Sequence, residues 1–143
     1  MKFSKTEFGY VLVLGPNDEI VSSIGAFARS VGVGSAVVSG IGAAGDLVIG
    51  YFDRQRKTYV KRQLEGEYEI LSLTGTVSHF EGNPWVHVHV VASGPDFSVV
   101  GGHLFSGRVT VTLETVVNVS AGRIERKEDA ESGFKFLDLE RSV

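Results

Sequence analysis

The sequence predicts an α+β domain in which one main helix packs on a largely antiparallel sheet of about seven strands. The chain has 143 residues, enough for one domain with its own hydrophobic core. Only one segment carries apolar residues at helical spacing, whereas several later runs are β-branched or alternate polar with apolar residues. Glycine-rich connections separate these runs, and no second domain or internal repeat is evident. Residues 1–143 are therefore expected to form a single domain.

The first two predicted elements are a strand and the helix. Residues 9–14 are apolar and β-branched, which predicts a buried strand that ends at Gly15-Pro16. Asn17 or Asp18 is expected to cap a helix over residues 18–31. Its apolar residues form one stripe at spacings of four, three and four: Ile20, Ile24, Phe27 and Val31.

The remainder of the chain predicts short strands joined by turns. The strand-like runs are residues 35–39, 47–52, 58–64, 68–77, 85–91 and 109–119. The polar stretch from Arg123 to Ser132 is expected to be a mobile connection. The alternating segment 134–139 is expected to return as an edge strand.

One glycine pattern resembles a nucleotide-binding loop. Gly40, Gly42 and Gly45 have the G-x-G-x-x-G spacing, but the following residues are β-branched and aromatic and carry no helical stripe. A pyrophosphate site needs a helix N-terminus at this point, and Asp46 would repel phosphate. The glycines are therefore interpreted as a tight turn between two strands.

Composition excludes several classes of protein. Hydrophobic residues make up 43% of the chain and the net charge is only −3, which excludes a mainly disordered chain. The sequence contains no cysteine, so disulfides, thiolate metal sites and cysteine nucleophiles are excluded. No apolar run approaches the roughly 20 residues of a membrane span, and the N-terminus does not resemble a secretory signal. A cytoplasmic protein is expected.

The histidines form the clearest candidate site. The chain has four, and His87 and His89 lie two residues apart in a predicted strand, so their rings share one face. His103 follows the pair Gly101-Gly102, where a turn could bring a third ring to the same ion. Three histidines with one open position favour zinc, although imidazole also suits copper, nickel or iron. The alternative is that the histidines are ordinary structural or surface residues.

Two further residues are candidates for supporting this site. His79 lies just before the His87 strand and is a candidate fourth ligand or supporting residue. Glu114 is a carboxylate within an apolar strand, and it could hold a ligand histidine through the second ring N–H. It could equally point into solvent from an edge strand.

A basic run is a candidate nucleic-acid contact. Five basic residues lie within nine positions, and Tyr51, Phe52 and Tyr59 are interleaved with them: Arg54, Arg56, Lys57, Lys61 and Arg62. Such a patch, and Arg54, Arg56 and Lys57 in particular, could bind phosphates. The alternative is an exposed hairpin tip whose charges keep the protein soluble and protect a sheet edge.

These residues together resemble the plants-and-prokaryotes-conserved domain family in its free-standing prokaryotic form. The resemblance covers nearly the whole chain and depends on four segments in order: 39–42, 66–75, 86–89 and 100–104. It implies an α+β fold, a homotrimer and a metal site formed by His87, His89 and His103. Plant members carry AT-hooks that bind DNA, whereas this chain lacks the Arg-Gly-Arg-Pro core because Val109 follows Gly107-Arg108.

The histidine pattern therefore predicts a module that holds a divalent metal ion, zinc in the first instance, and the family resemblance implies that this module is a homotrimer. Its partners would be DNA or another regulatory protein, and no membrane is expected. The alternative is a metal-dependent enzyme acting on a small metabolite, since an open metal site permits hydrolysis or hydration. No serine-hydrolase elbow or phosphate-binding loop is present, so the sequence leaves enzymatic activity open. A third possibility is a scaffold whose histidines only pack.

Overall fold

Eight strands and one helix make up the part of the chain that the structure, a computed structural model, describes: residues 1–141. In chain order they are β1 (Lys2–Thr6), β2 (Gly9–Leu14), α1 (Ile20–Val31), β3 (Ala36–Asp53), β4 (Thr58–Phe80), β5 (Asn83–Ser93), β6 (Val99–Val119), β7 (Glu125–Glu128) and β8 (Lys135–Asp138).

The strands form one mixed sheet in the order β1-β2-β6-β3-β4-β7-β8, and β5 pairs with both β4 and β6. Strands β3, β4, β5 and β6 therefore form a closed circuit of pairing. Every pairing is antiparallel except the single parallel contact between His79 of β4 and Glu125 of β7. The predicted α+β class with one main helix and a largely antiparallel sheet is confirmed.

Helix α1 matches the predicted helix except at its cap. Glu19 is the N-cap residue, and its carboxylate accepts from the backbone N–H groups of Val21 and Ser22. Asp18 instead accepts from the Gly15 N–H and pairs with the N-terminal amino group, so its side chain is committed to the preceding turn. The expected Asn17 or Asp18 cap is therefore wrong. Gly32 ends the helix in the left-handed conformation that glycine adopts readily.

The hydrophobic core lies between α1 and one face of the sheet. Ile24 and Phe27 of the helix are fully buried in the same cluster as Val88 and Val90 of β5. The alternation along β5 therefore places its valines in the core and leaves His87 and His89 on the opposite face. Burial of the core thus fixes the direction in which both histidines point.

The strands are longer than the sequence predicted. The predicted runs 35–39, from Ala36 onwards, and 47–52 belong to one strand, β3, and the runs 58–64 and 68–77 belong to β4. The glycine pattern at residues 40–45 is not a turn between strands but a bulged stretch within β3. A Cβ at Gly42 would lie 2.1 Å from the carbonyl oxygen of Thr112, so the glycine permits the close approach of β6.

The C-terminal segment folds back as a hairpin. The stretch 123–132, expected to be a mobile connection, contains β7, and the expected edge strand is present as β8. The Arg126 guanidinium donates to the Ser78 hydroxyl and to the Lys135 carbonyl, which joins both strands of the hairpin to β4. The β7–β8 hairpin is thereby attached beside the β5 histidines.

Candidate metal centre

Three histidines converge at one place on the sheet. The potential ligand nitrogens of His87, His89 and His103 all lie within 4.8 Å of one another. The Nε2 atoms of His87 and His89 are 3.2 Å apart. We refer to these three residues as the histidine cluster. Its nitrogens are close enough for one ion to contact all three.

Register between strands assembles the cluster. His89 on β5 lies directly opposite His103 on β6, and His87 is two residues away on the same face of β5. The sequence suggested that His103 follows a turn, but in the structure His103 lies within strand β6. A Cβ at Gly75 of β4 would lie 2.0 Å from the His87 carbonyl oxygen, so glycine lets β4 and β5 pair closely behind the cluster.

Burial and neighbouring charges favour the neutral form of two rings of the cluster, those of His87 and His103. Burial, followed by the charges of His87, His89 and Lys61, lowers the pKa of His103 to about 4. Burial also lowers the pKa of His87, with smaller contributions from Arg126 and His89. Neutral imidazole is the form that binds a metal ion. His87 and His103 are therefore able to coordinate at neutral pH without first losing protons.

One buried nitrogen of the cluster has no hydrogen-bond partner among the described residues. This nitrogen is Nδ1 of His103. A buried polar atom without a partner is unfavourable, and such atoms usually have an explanation in a water, an ion or a functional role. An all-imidazole donor set with one unpartnered nitrogen fits a divalent metal ion such as zinc.

His79 lies outside the cluster. It is only 6% exposed, and its Nδ1 donates to the carbonyl of Gly34 at 3.0 Å, because a carbonyl can only accept. Its backbone N–H donates to the carbonyl of Ile124. Burial, followed by the charge of Arg123, lowers its pKa. His79 joins β4 to the segments before β3 and after β6.

Glu114 also lies away from the cluster. On β6 it is paired with Ile41 of β3 and Val13 of β2, and its side chain is exposed. It lines a shallow surface depression together with Val11 and Leu71, and no histidine lines that depression. The structure therefore brings together three of the five residues that the sequence associated with a metal site.

A cleft opens over the cluster. This histidine cleft, as we call it, has a volume of about 670 Å³, and His87 and His103 form part of its lining. Its walls are aromatic: Phe52, Tyr59, Trp85, Phe105, Phe134 and Phe136. The ring centroids of Tyr59 and His103 are 5.3 Å apart, and those of Phe105 and His103 are 4.6 Å apart.

Most of these walls could not be located from the sequence. Tyr59, Phe105 and Phe134 come from β4, β6 and the C-terminal hairpin, which are far apart along the chain. No spacing rule connects such positions, since only the closed circuit of strands and the returning hairpin bring them together. Trp85 was detectable, because it shares a strand face with His87 and His89.

The basic run is found at the β3–β4 turn. Arg54, Arg56 and Lys57 are exposed there, as expected of a hairpin tip. Arg56 pairs with Asp53 at 3.3 Å and Lys57 with Glu131 at 3.2 Å. Lys57 also lines the histidine cleft. Arg54 and Arg56 therefore lie in solvent, whereas Lys57 lies at the edge of the histidine cleft.

Comparison with known sequences gives the family. The sequence model of the Plants and Prokaryotes Conserved (PCC) domain matches residues 1–121. The chain belongs to the PCC domain family. All three residues of the histidine cluster lie inside the matched part of this PCC domain, whereas the β7–β8 hairpin follows it. No curated protein sequence matches the chain significantly.

Solved structures resemble this PCC domain over nearly its whole length. A "putative DNA binding protein" from Bacteroides thetaiotaomicron is 30% identical, with 98% of each chain covered and a TM-score of 0.93. A plant- and prokaryote-conserved protein from Pyrococcus horikoshii is 33% identical, covering 96% of this chain and 94% of that one, with a TM-score of 0.84. A metal-containing protein from Archaeoglobus fulgidus is 37% identical, with 96% of each chain covered and a TM-score of 0.83. Within residues 1–141, no helix is long and apolar enough to cross a membrane.

Proposed function

We propose that this PCC-domain protein is a homotrimeric regulatory module that holds one divalent metal ion, zinc, through His87, His89 and His103. The observation that carries the proposal is the convergence of three ligand nitrogens within 4.8 Å. The unpartnered Nδ1 of His103 and the low pKa of its ring support it. The metal-containing relative from Archaeoglobus fulgidus supports it independently.

Three imidazoles leave one position of a tetrahedral ion open. A zinc ion bound there would supply Lewis acidity and lower the pKa of a coordinated water. The chain's own contribution is to hold the three rings together by strand register and to favour the neutral form of His87 and His103 by burial. His87 and His103 would present that open position to the histidine cleft.

Metal content is the direct test. Untagged, chelator-washed protein is analysed by mass spectrometry beside the His87→Ala/His89→Ala variant. We expect about one zinc or related ion per wild-type chain and none in the variant. His79→Asn is the matched control and should retain the metal, since His79 is bound to Gly34 instead. Absence of metal from the wild type would reject the proposal.

Self-association, which a trimer requires, is supported by the exposed face of the sheet. Val11, Val116 and Ser39 are successive cross-strand neighbours on this face, and the same row continues through Thr74 to His89. The exposed apolar side chains around the row are Val11, Val37, Ile41, Leu71 and Val116. Such an apolar surface is typical of an interface. Light scattering should give about three times the chain mass of 15.4 kDa, and Ile41→Glu should yield a smaller species.

Association with DNA belongs to the same proposal. Relatives from Bacteroides thetaiotaomicron and Ralstonia eutropha are each named a "putative DNA-binding protein", which supports this partner. In this chain the contact would be Arg54, Arg56 and Lys57, and a trimer would present three such turns together. A gel-shift assay should show retardation at low salt that is lost on replacing all three by alanine. Retardation unaffected by salt or by these substitutions would reject this part.

A second candidate function is a metal-dependent enzyme acting on a small metabolite. The observation that favours it is the cleft of about 670 Å³ lined in part by His87 and His103, a volume typical of small-molecule sites. No carboxylate lines this cleft among the described residues, so a general base other than a metal-bound water is not evident. Hydrolysis of ester or amide substrates that is abolished by His89→Ala would distinguish this candidate from a purely regulatory module.

A further inference from the structure

We propose that the histidine cleft binds a small organic anion, a carboxylate or phosphate group carried on a flat apolar body. The proposal names the ligand class of the site described above. It uses the proposed metal ion only as an additional contact for the anion. Its own basis is the charge and shape of the cleft walls.

The charge of the histidine cleft is opposite in sign to the net charge of the chain. The chain as a whole is acidic, with 17 acidic and 14 basic residues. The cleft lining nevertheless contains four basic residues and no acidic one: Lys57, Lys61, Arg126 and Lys135. A concave surface lined by one sign of charge concentrates ligands of the opposite sign. The cleft is therefore suited to anions although the protein repels them on average.

The four cations are not equally available. Lys57 is paired with Glu131, and Lys135 with Glu128 at 3.0 Å. Arg126 donates to the Ser78 hydroxyl and to a backbone carbonyl. Lys61 has no carboxylate within salt-bridge distance in the described part of the chain.

Lys61 is also placed next to the metal ligands. Its Nζ lies 4.0 Å from the centroid of the Phe105 ring, and that ring packs on His103. The amino group therefore stands at the boundary between the cluster and the aromatic wall. Lys61 is accordingly the residue best placed to bind an incoming anion.

The aromatic walls define the rest of the ligand. Tyr59 and Phe105 meet edge to face with centroids 5.0 Å apart, and Phe52 and Phe134 do so at 4.5 Å. Exposed aromatic faces and edges of this kind bind flat apolar groups. A cleft of about 670 Å³ accommodates a small molecule but is too small to enclose duplex DNA. A flat organic anion satisfies both the cationic and the aromatic features.

The sole tryptophan provides the measurement. Trp85 lines the cleft and is the one tryptophan in the sequence, so its emission reports on this site. Four probes separate charge from shape: benzoate and phenyl phosphate carry both, benzamide has the ring without the charge, and inorganic phosphate has the charge without the ring. We expect benzoate or phenyl phosphate to change Trp85 emission saturably, at concentrations about tenfold below those needed for the other two probes. Whichever of benzoate and phenyl phosphate binds at the lower concentration shows whether the site prefers a carboxylate or a phosphate group.

Variants assign the binding to Lys61. Lys61→Met should weaken binding of the better probe about tenfold, and Lys61→Arg should largely restore it. Lys5→Met on the exposed strand β1 is the matched control and should bind as the wild type does. Circular dichroism confirms that each variant is folded. Equal binding of benzamide and the better anionic probe, or wild-type affinity in Lys61→Met, would overturn the proposal, as would displacement of the probe by a stoichiometric duplex oligonucleotide.

The same titration with chelator-treated protein distinguishes this inference from the metal site. Probe binding that persists in protein shown by mass spectrometry to lack metal, before and after zinc addition, would support the anion cleft and reject the metal proposal. Stoichiometric metal binding without probe binding would support the metal proposal and reject the anion cleft.

Discussion

His89 and His103 are direct cross-strand partners in the β5–β6 ladder. Their rings face the same side because side chains directly opposite each other share a face of the sheet. A shift of one residue in this register would turn one ring toward the opposite face. The candidate metal centre is therefore a property of strand pairing, and perturbations of pairing should affect it before they affect the remainder of the fold.

Replacement of His89 should separate metal binding from folding. His89 is exposed, so His89→Ala is expected to change the stability of the metal-free protein by less than about 0.5 kcal/mol. Zinc should raise the unfolding temperature of the wild type but not of the variant, because only a bound ligand shifts the equilibrium. Thermal unfolding with and without zinc measures both effects. A zinc-induced rise of the same size in the variant would exclude His89 as a ligand.

Replacement of His79 should have the opposite effect. His79→Ala removes the donor to the Gly34 carbonyl from a position that is 6% exposed, and this is expected to cost about 1–3 kcal/mol in free energy of unfolding. Zinc content should remain that of the wild type. Urea unfolding and mass spectrometry test the two statements separately. Loss of zinc from a folded His79→Ala variant would place His79 in the site after all.

Gly75→Ala should disturb the histidine cluster through β4, the strand that pairs with β5. The added Cβ would lie 2.0 Å from the His87 carbonyl oxygen and 2.6 Å from the Val88 Cα, so β4 and β5 must separate. We expect a loss of about 3 kcal/mol or more in free energy of unfolding, together with weaker zinc binding.

Gly25→Ala is the matched control for this substitution. The nearest atom to its added Cβ would be 3.7 Å away, which is an ordinary contact, and the position lies within α1. The change should stabilise the protein by about 0.5–1 kcal/mol, since alanine favours helices. Equal stability of the two variants would contradict the steric argument.

The metal-free protein should lose stability in mildly acidic solution. The pKa of His103 is lowered from 6.5 to about 4 in the folded chain, so between these pH values the unfolded chain binds more protons. The free energy of unfolding should therefore fall as the pH decreases through this window. Urea unfolding at several pH values between about 7.5 and 4.5 measures the slope.

His103→Gln is the control for the pH effect. It removes the titrating ring, so the dependence of stability on pH should become shallower. It should not disappear, because burial lowers the pKa of His79 and of His87 as well. An unchanged slope in a folded His103→Gln variant would show that His103 does not contribute to the pH dependence.

The sequence predicted the parts of the site that depend on local periodicity. The alternation of His87 and His89 with buried valines fixed their common face, and the helical stripe from Ile20 identified α1. It did not predict that His103 lies opposite His89, because register between strands depends on the assembled sheet. The placement of His79 and Glu114 away from the cluster depends on the same long-range pairing. The glycines at positions 40–45 were misinterpreted because a bulge and a turn require the same backbone freedom.

The hairpin that follows the matched PCC region has a consequence for how this protein can diversify. The histidine cluster belongs to residues 1–121, whereas Phe134, Lys135 and Phe136 of the cleft wall lie beyond them. Part of the cleft wall is thus encoded separately from the histidine cluster. Exchange of the C-terminal hairpin would alter that part of the wall and leave the three histidines and Lys61 in place. The β7–β8 hairpin is therefore a segment that protein engineers can replace without changing the histidine cluster.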